Sequence, residues 1–175
     1  MTVPFSAMIL AAGFGKRMLP ITKDVPKPLV TINNVSLLKN TIDFLFSIGC
    51  KKIIINTHYK HKLISNFIKI NYPNFNIILS YEENILDTGG GVKNALDLFD
   101  EEKLLITNSD IFWTKDNEKD VLEFIINFKL AYGCSLLLVD ENNSVGIKNK
   151  KGDFAIQNKL IKRWTYGDKI IYYSG

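Results

Sequence analysis

Residues 8–30, MILAAGFGKRMLPITKDVPKPLV, run from an apolar stretch directly into a glycine-rich, basic loop that ends in Lys-Pro. The apolar part reads as a strand, and open α/β sheets bind ligands in the crevice beyond the carboxyl ends of their strands. There Gly13 and Gly15 let backbone N–H groups approach a polyphosphate closely. Lys16 and Arg17 add positive charge, and the planar guanidinium of Arg17 can grip a phosphate through two parallel hydrogen bonds. Past Pro20 and Pro26 the chain is expected to stay extended and to carry a second cation, Lys27, back over the ligand. The pattern lacks the third glycine of the dinucleotide fingerprint and the Gly-Lys-Ser/Thr of a Walker A loop. An NAD-binding module is further disfavoured because no acidic residue closes a second strand.

The rest of the chain alternates strand-like and helix-like segments. Apolar, β-branched runs at Ile53 to Ile55, Ile77 to Leu79 and Leu104 to Ile106 read as strands covered on both faces, the mark of a mostly parallel sheet. Between them, Leu37, Leu38, Ile42, Leu45 and Phe46 recur at helical spacing and Gly49 supplies a stop. The expected class is therefore α/β: a Rossmann-like, mostly parallel sheet with helices on both faces. From Gly146 onward short runs are punctuated by Gly152-Asp153 and Gly167-Asp168, which predicts an antiparallel C-terminal ribbon added to that sheet. Its last strand, KIIYYSG, ends the ribbon abruptly, and if the chain needs a partner an exposed edge or apolar patch near Ile170 to Tyr173 is expected to drive self-association. With 175 residues, 46% of them hydrophobic, one domain over 1–175 is the expectation.

A net charge of +4, spread along the chain with short clusters such as Lys148, Lys150 and Lys151, suits anionic small molecules rather than nucleic acid, which calls for a denser basic face. No apolar run approaches the roughly 20 residues of a membrane span, and no basic segment precedes the first apolar one as in a signal peptide. A cytoplasmic protein without membrane contact is expected. Cys50 and Cys134 sit beside apolar segments and read as core thiols. His58 and His61 read as surface or loop-end residues, because nothing near them completes a zinc set.

As a whole, LAAGFGKRMLPITKDVPKPLV resembles the signature of the sugar-1-phosphate nucleotidyltransferases, which join a nucleoside triphosphate (NTP) to a sugar-1-phosphate and release pyrophosphate. The resemblance implies the nucleotide-diphospho-sugar transferase fold. By motif position it implies that Leu10, Ala11, Ala12 and Gly13, with Gly15 and Lys16, hold the nucleotide. It also implies that Arg17 stabilises the phosphates and that Lys27 contacts the phosphate undergoing reaction. Asn108-Ser109-Asp110 follows the strand KLLIT; by residue type alone Asp110 reads as a turn or cap residue or as a ligand for Mg²⁺. The resemblance selects the catalytic metal ligand, with Ser109 where family members commonly carry Gly. In YEENILDTGGGVKNALDLF, three glycines before a helix offer bare backbone, with Thr88 as a candidate cap. The resemblance makes Thr88, Gly89 and Gly90 candidates for the side of the site that holds the base.

LDTGGG and NTHYK (residues 56–60) are most similar to the N-acetylmuramate-1-phosphate uridylyltransferases and their mannose-1-phosphate guanylyltransferase-like relatives. UTP with N-acetylmuramate-1-phosphate is thus the first expected substrate pair, and GTP with mannose-1-phosphate the second. Family members continue past the strand matching KIIYYSG into a Trp-x-Asp-x-Gly-Thr-like motif with a second metal ligand. That motif is absent, and Asp168 in RWTYGD precedes the matching strand, so the role does not pass to it. The sequence is therefore expected to be C-terminally incomplete relative to the family: an enzyme of reduced activity, or a nucleotide-binding remnant or subunit completed by self-association or by a partner chain.

Overall fold

The computed structural model describes residues 3–144, 151–158 and 160–173; Lys148, Lys150, Ser174 and Gly175 lie outside them. The chain divides into two compact units, 1–127 and 128–175.

The first unit is built on β1 (Ser6–Leu10), followed after the glycine loop by a small ribbon, β2 (Thr31–Ile32) and β3 (Val35–Ser36). Then come α1 (Leu37–Ser47), β4 (Lys52–Thr57), α2 (His61–Asn71), β5 (Ile77–Tyr81), α3 (Asp87–Asn94), β6 (Leu104–Asn108) and α4 (Asn117–Asn127). The helix α1 starts where expected because the Ser36 hydroxyl accepts from Lys39 N–H, satisfying a donor that the helix itself cannot. It ends at Gly49, whose φ of 92° turns the chain so that Cys50 N–H reaches back to Leu45 C=O.

The four strands β1, β4, β5 and β6 form one parallel sheet in the order β5-β4-β1-β6. Ile53, Ile54 and Ile55 are fully buried, as a central strand requires. By contrast, Ile77 to Leu79 and Leu104 to Ile106 are half-buried, because β5 and β6 flank this sheet rather than sitting inside it. The chain steps from β1 to β4 to β5 in one direction and then returns to place β6 on the other side of β1. Right-handed crossovers put α1 and α2 on one face and α3 on the opposite one. On the α3 face, Met8 and Ile54 pack with Ala95 and Val92; Ala7, Ile9, Ile53 and Ile55 point to the other. The direction of winding reverses between β1 and β6, where α/β sheets open a crevice at the strands' carboxyl ends.

The second unit contains β7 (Leu138–Asp140), β8 (Phe154–Gln157), β9 (Leu160–Arg163) and β10 (Ile171–Tyr173). These strands do not extend the parallel sheet as predicted; they pair with one another, antiparallel, in the order β7-β10-β8-β9. Nor does 170–173 form an exposed edge, since β10 has a neighbour on each side and buries Ile171. Gly152 is needed for close packing: a Cβ there would lie 2.9 Å from Trp164 Cδ1 and 3.2 Å from Ile171 N. Asp168 organises the connection from β9 to β10 by accepting from Thr165 N–H and Oγ1 and pairing with Lys162, contacts that hold its carboxyl down at about 2. Among the described residues no helix is long and apolar enough to cross a membrane.

Candidate active site

A cleft of about 420 Å³ opens at the carboxyl ends of β1 and β6, at the reversal of winding. From the β1 loop it is lined by Leu10, Ala11, Gly13, Gly15, Lys16 and Arg17; from the following turns by Lys27; and from the end of β6 by Ser109 and Asp110. Ala12 is buried behind this lining. Residues almost a hundred positions apart in sequence thus converge because β1 and β6 are neighbours in register, with Leu10 opposite Asn108.

The loop is compact, not extended. Three short 3₁₀ turns, Lys16–Met18, Ile21–Lys23 and Lys27–Leu29, replace the expected open path. Gly15 starts the first of them at φ +65°, and a Cβ on it would lie 3.0 Å from Thr22 Cγ2 and 3.2 Å from Lys27 Cβ. Thr22 is wholly buried, its hydroxyl donates to Gly15 C=O at 2.9 Å, and Tyr59 OH donates to Thr22 C=O at 3.2 Å. The turns fold Lys27 back to the cleft, where its ammonium forms an ion pair with the Asp110 carboxylate. Among the described residues, the N–H groups of Gly13 and Gly15, both in the lining, have no protein acceptor. They are donors available to an anion.

Behind the lining, Ala11 N–H donates to Asn56 Oδ1 at 2.7 Å, and Asn56 Nδ2 donates to Glu82 Oε1 at 2.8 Å. Glu82 Oε2 accepts from Leu86 N–H, at the position that caps α3. The helix consequently begins at Asp87, and Gly89, Gly90 and Gly91 lie inside it rather than before it. Thr88 is therefore not the cap. Neither Thr88, Gly89 nor Gly90 lines the cleft, though the space beside Gly89 is open. His58 and His61 are half-buried at the end of β4, His58 Nδ1 within 2.8 Å of Glu82 C=O and His61 Nδ1 within 2.8 Å of Thr57 Oγ1. The Phe14 ring stands edge-on to His58 with centroids 5.5 Å apart, and Lys16 Nζ lies 5.1 Å from the same ring.

Thr22 and Glu82 were not identified by sequence reasoning. A threonine between prolines carries no pattern that announces a buried lock. Glu82, the first polar residue after an apolar strand, could have been found as a carboxylate too close to a sheet to be solvated.

Residues 6–146 match the family model described as Nucleotidyl transferase. The chain belongs to this family. Within the nucleotidyltransferases it is 34% identical over 140 residues to D-glycero-alpha-D-manno-heptose 1-phosphate guanylyltransferase of Aneurinibacillus thermoaerophilus, covering 80% of this chain and 60% of the relative. It is 35% identical over 114 residues to N-acetylmuramate alpha-1-phosphate uridylyltransferase of Caulobacter vibrioides, covering 63% of this chain and 47% of the relative. The chain thus spans about half to three fifths of the length of these relatives. The crystal structure of HddC from Yersinia pseudotuberculosis superposes with a TM-score of 0.69 at 24% identity over 97% of this chain and 74% of that one, a likeness of fold.

Proposed function

We propose that this chain carries the nucleotide-binding and reacting centre of a sugar-1-phosphate nucleotidyltransferase. The observation that carries the reading is the convergence of Arg17, Lys27 and Asp110 on one cleft floored by unpaired N–H groups. Leu10 to Gly13, Gly15 and Lys16 hold the triphosphate in this reading, and Thr88, Gly89 and Gly90 lie on the side of the base. An oxygen of the sugar phosphate attacks the α-phosphorus in line. The new P–O bond forms as the bond to the β-phosphate's bridging oxygen breaks, and pyrophosphate leaves with that electron pair. No covalent intermediate with the protein is needed. Arg17 and Lys27 bring two mutually repelling anions together and offset the charge that grows between them. Lys27 can do so once it gives up Asp110.

Asp110 would hold Mg²⁺, an ion that binds through one or two carboxylates together with substrate phosphates. The Asp110 carboxylate, already satisfied by a cation in the form of Lys27, fits that demand. When bound, the ion would neutralise phosphate charge.

LDTGGG and NTHYK favour UTP with N-acetylmuramate-1-phosphate, whereas the heptose relative favours GTP with a manno-configured sugar phosphate. We place the reaction in the cytoplasm, where both substrates are soluble anions. The second reading, a nucleotide-binding chain that works with another copy or a partner, is supported by relatives named as the catalytic subunit beta of a mannose-1-phosphate guanylyltransferase.

Mg²⁺-dependent pyrophosphate release, measured with UTP, GTP, CTP and dTTP against a panel of sugar-1-phosphates, tests the proposal. Turnover with one pair, reduced about 10²- to 10³-fold by Arg17→Ala or Lys27→Ala, is the expected result. Nucleotide binding without turnover selects the second reading. A folded chain that binds no nucleotide overturns both.

A further inference from the structure

Asn56 is 3% exposed and Glu82 2% exposed, and together they occupy the space between three elements. The Asn56 amide cannot be turned over: its oxygen takes the Ala11 N–H and its nitrogen gives a proton to the Glu82 carboxylate, so a flip would set donor against donor and acceptor against acceptor. Glu82 thereby dictates the orientation of Asn56, and Asn56 that of the Ala11 peptide. The second carboxylate oxygen fixes Leu86 N–H, from which α3 starts. A Cβ on Gly91 would come within 2.8 Å of both Asn56 Nδ2 and Glu82 Oε1, so the helix lies directly on the pair.

A buried carboxylate is costly to desolvate unless its oxygens are hydrogen-bonded. Both are used here, one for each segment. With Ala11 N–H committed to Asn56, the N–H groups left facing the cleft are those of the next residues along the loop.

We propose that Glu82 and Asn56 are positioning residues, a single buried pair that aligns the phosphate-side loop (residues 11–15) with the base-side start of α3. The proposal rests on the nucleotidyl-transfer reading for its purpose, but its geometry can be tested without nucleotide. Asn56→Asp sets one carboxylate against another. Glu82→Gln puts an NH₂ group against either Leu86 N–H or the Asn56 amide. The double variant restores every bond: the carboxylate now at position 56 accepts from Ala11 N–H and from the amide now at position 82, whose oxygen accepts from Leu86 N–H.

The test is hydrogen exchange on the ligand-free full chain, with calorimetric titration of UTP and GTP alongside. Each single variant is expected to speed exchange in 11–15 and in 86–91 together and to weaken nucleotide binding by about tenfold or more, and the double variant to recover both. A single variant that fails to fold beside a double variant that folds supports the coupling equally. Unchanged exchange at 11–15 in the singles, or a double no better than either, overturns it. A wild-type chain that binds no nucleotide, while the variants still show the exchange pattern, removes the nucleotidyl-transfer reading and leaves the positioning pair standing.

Discussion

Gly15 is the residue on which the loop turns. Its φ of +65° costs a residue with a Cβ about 1–2 kcal/mol, and that Cβ would press on the buried Thr22 and on the stem of Lys27. Gly15→Ala is therefore expected to lower unfolding free energy by about 1–2 kcal/mol in urea titration and to displace Lys27 from Asp110, weakening nucleotide binding. A variant of unchanged stability and affinity would show that the loop is not locked by this contact. The two cysteines diverge in the same way. Both read as core thiols from their apolar neighbours, but Cys134 is exposed and Cys50 is buried, where desolvation pushes its thiol up to about 11. A thiolate-selective reagent at pH 8 should modify Cys134 in the native chain and reach Cys50 once the protein is unfolded. Local sequence could not separate them, because exposure depends on what the fold brings alongside.

At the scale of elements, α1 and α2 are joined by a polar clasp. Tyr72 OH donates to Asp43 Oδ1 at 2.7 Å while Lys39 Nζ donates to Asp43 Oδ2 at 2.8 Å and stands over the Tyr72 ring. Burial, with the Asp43 hydrogen bond and charge, pushes the Tyr72 phenol well above its ordinary 10.0. An unfolded chain releases that proton above about pH 10 while the folded chain keeps it, so alkali favours unfolding. Stability should be undiminished by this group below pH 10 and fall above it, and Tyr72→Phe should flatten the decline in thermal melts between pH 10 and 11 despite losing about 1 kcal/mol of hydrogen bonding at neutral pH. An equally steep decline in the variant would place the alkaline sensitivity elsewhere. The helix α1 was legible because its apolar spacing, its Ser36 cap and its Gly49 stop all agree. The start of α3 was not, because glycines ordinarily argue against a helix interior; here Gly91 is small to clear Asn56 and Glu82, a reason that lies 35 and 9 residues away in the sequence. Likewise, turn signals located the C-terminal strands, but nothing local says whether a strand joins an existing sheet or founds another.

For the whole molecule, the mostly parallel α/β class could be anticipated from alternating strands and helices, and the grouping of Arg17, Lys27 and Asp110 from the family resemblance; the order of the strands could not. Nor could the division of the core. Apart from Ala155 and Ile171, every buried hydrophobic residue among those described lies in 1–127, and so do all the residues that line the cleft. A segment as short as 128–175 buries too little apolar surface to be stable by itself, whereas 1–127 has the size and core of an ordinary small domain. A fragment ending at Asn127 is thus expected to unfold cooperatively and to bind nucleotide within about threefold of the full chain, while 128–175 in isolation shows no cooperative transition. Binding lost from a folded 1–127 fragment would mean that the second unit shapes the cleft. Binding retained, with pyrophosphate release abolished, would assign nucleotide capture to the first unit and completion of the reaction to the second.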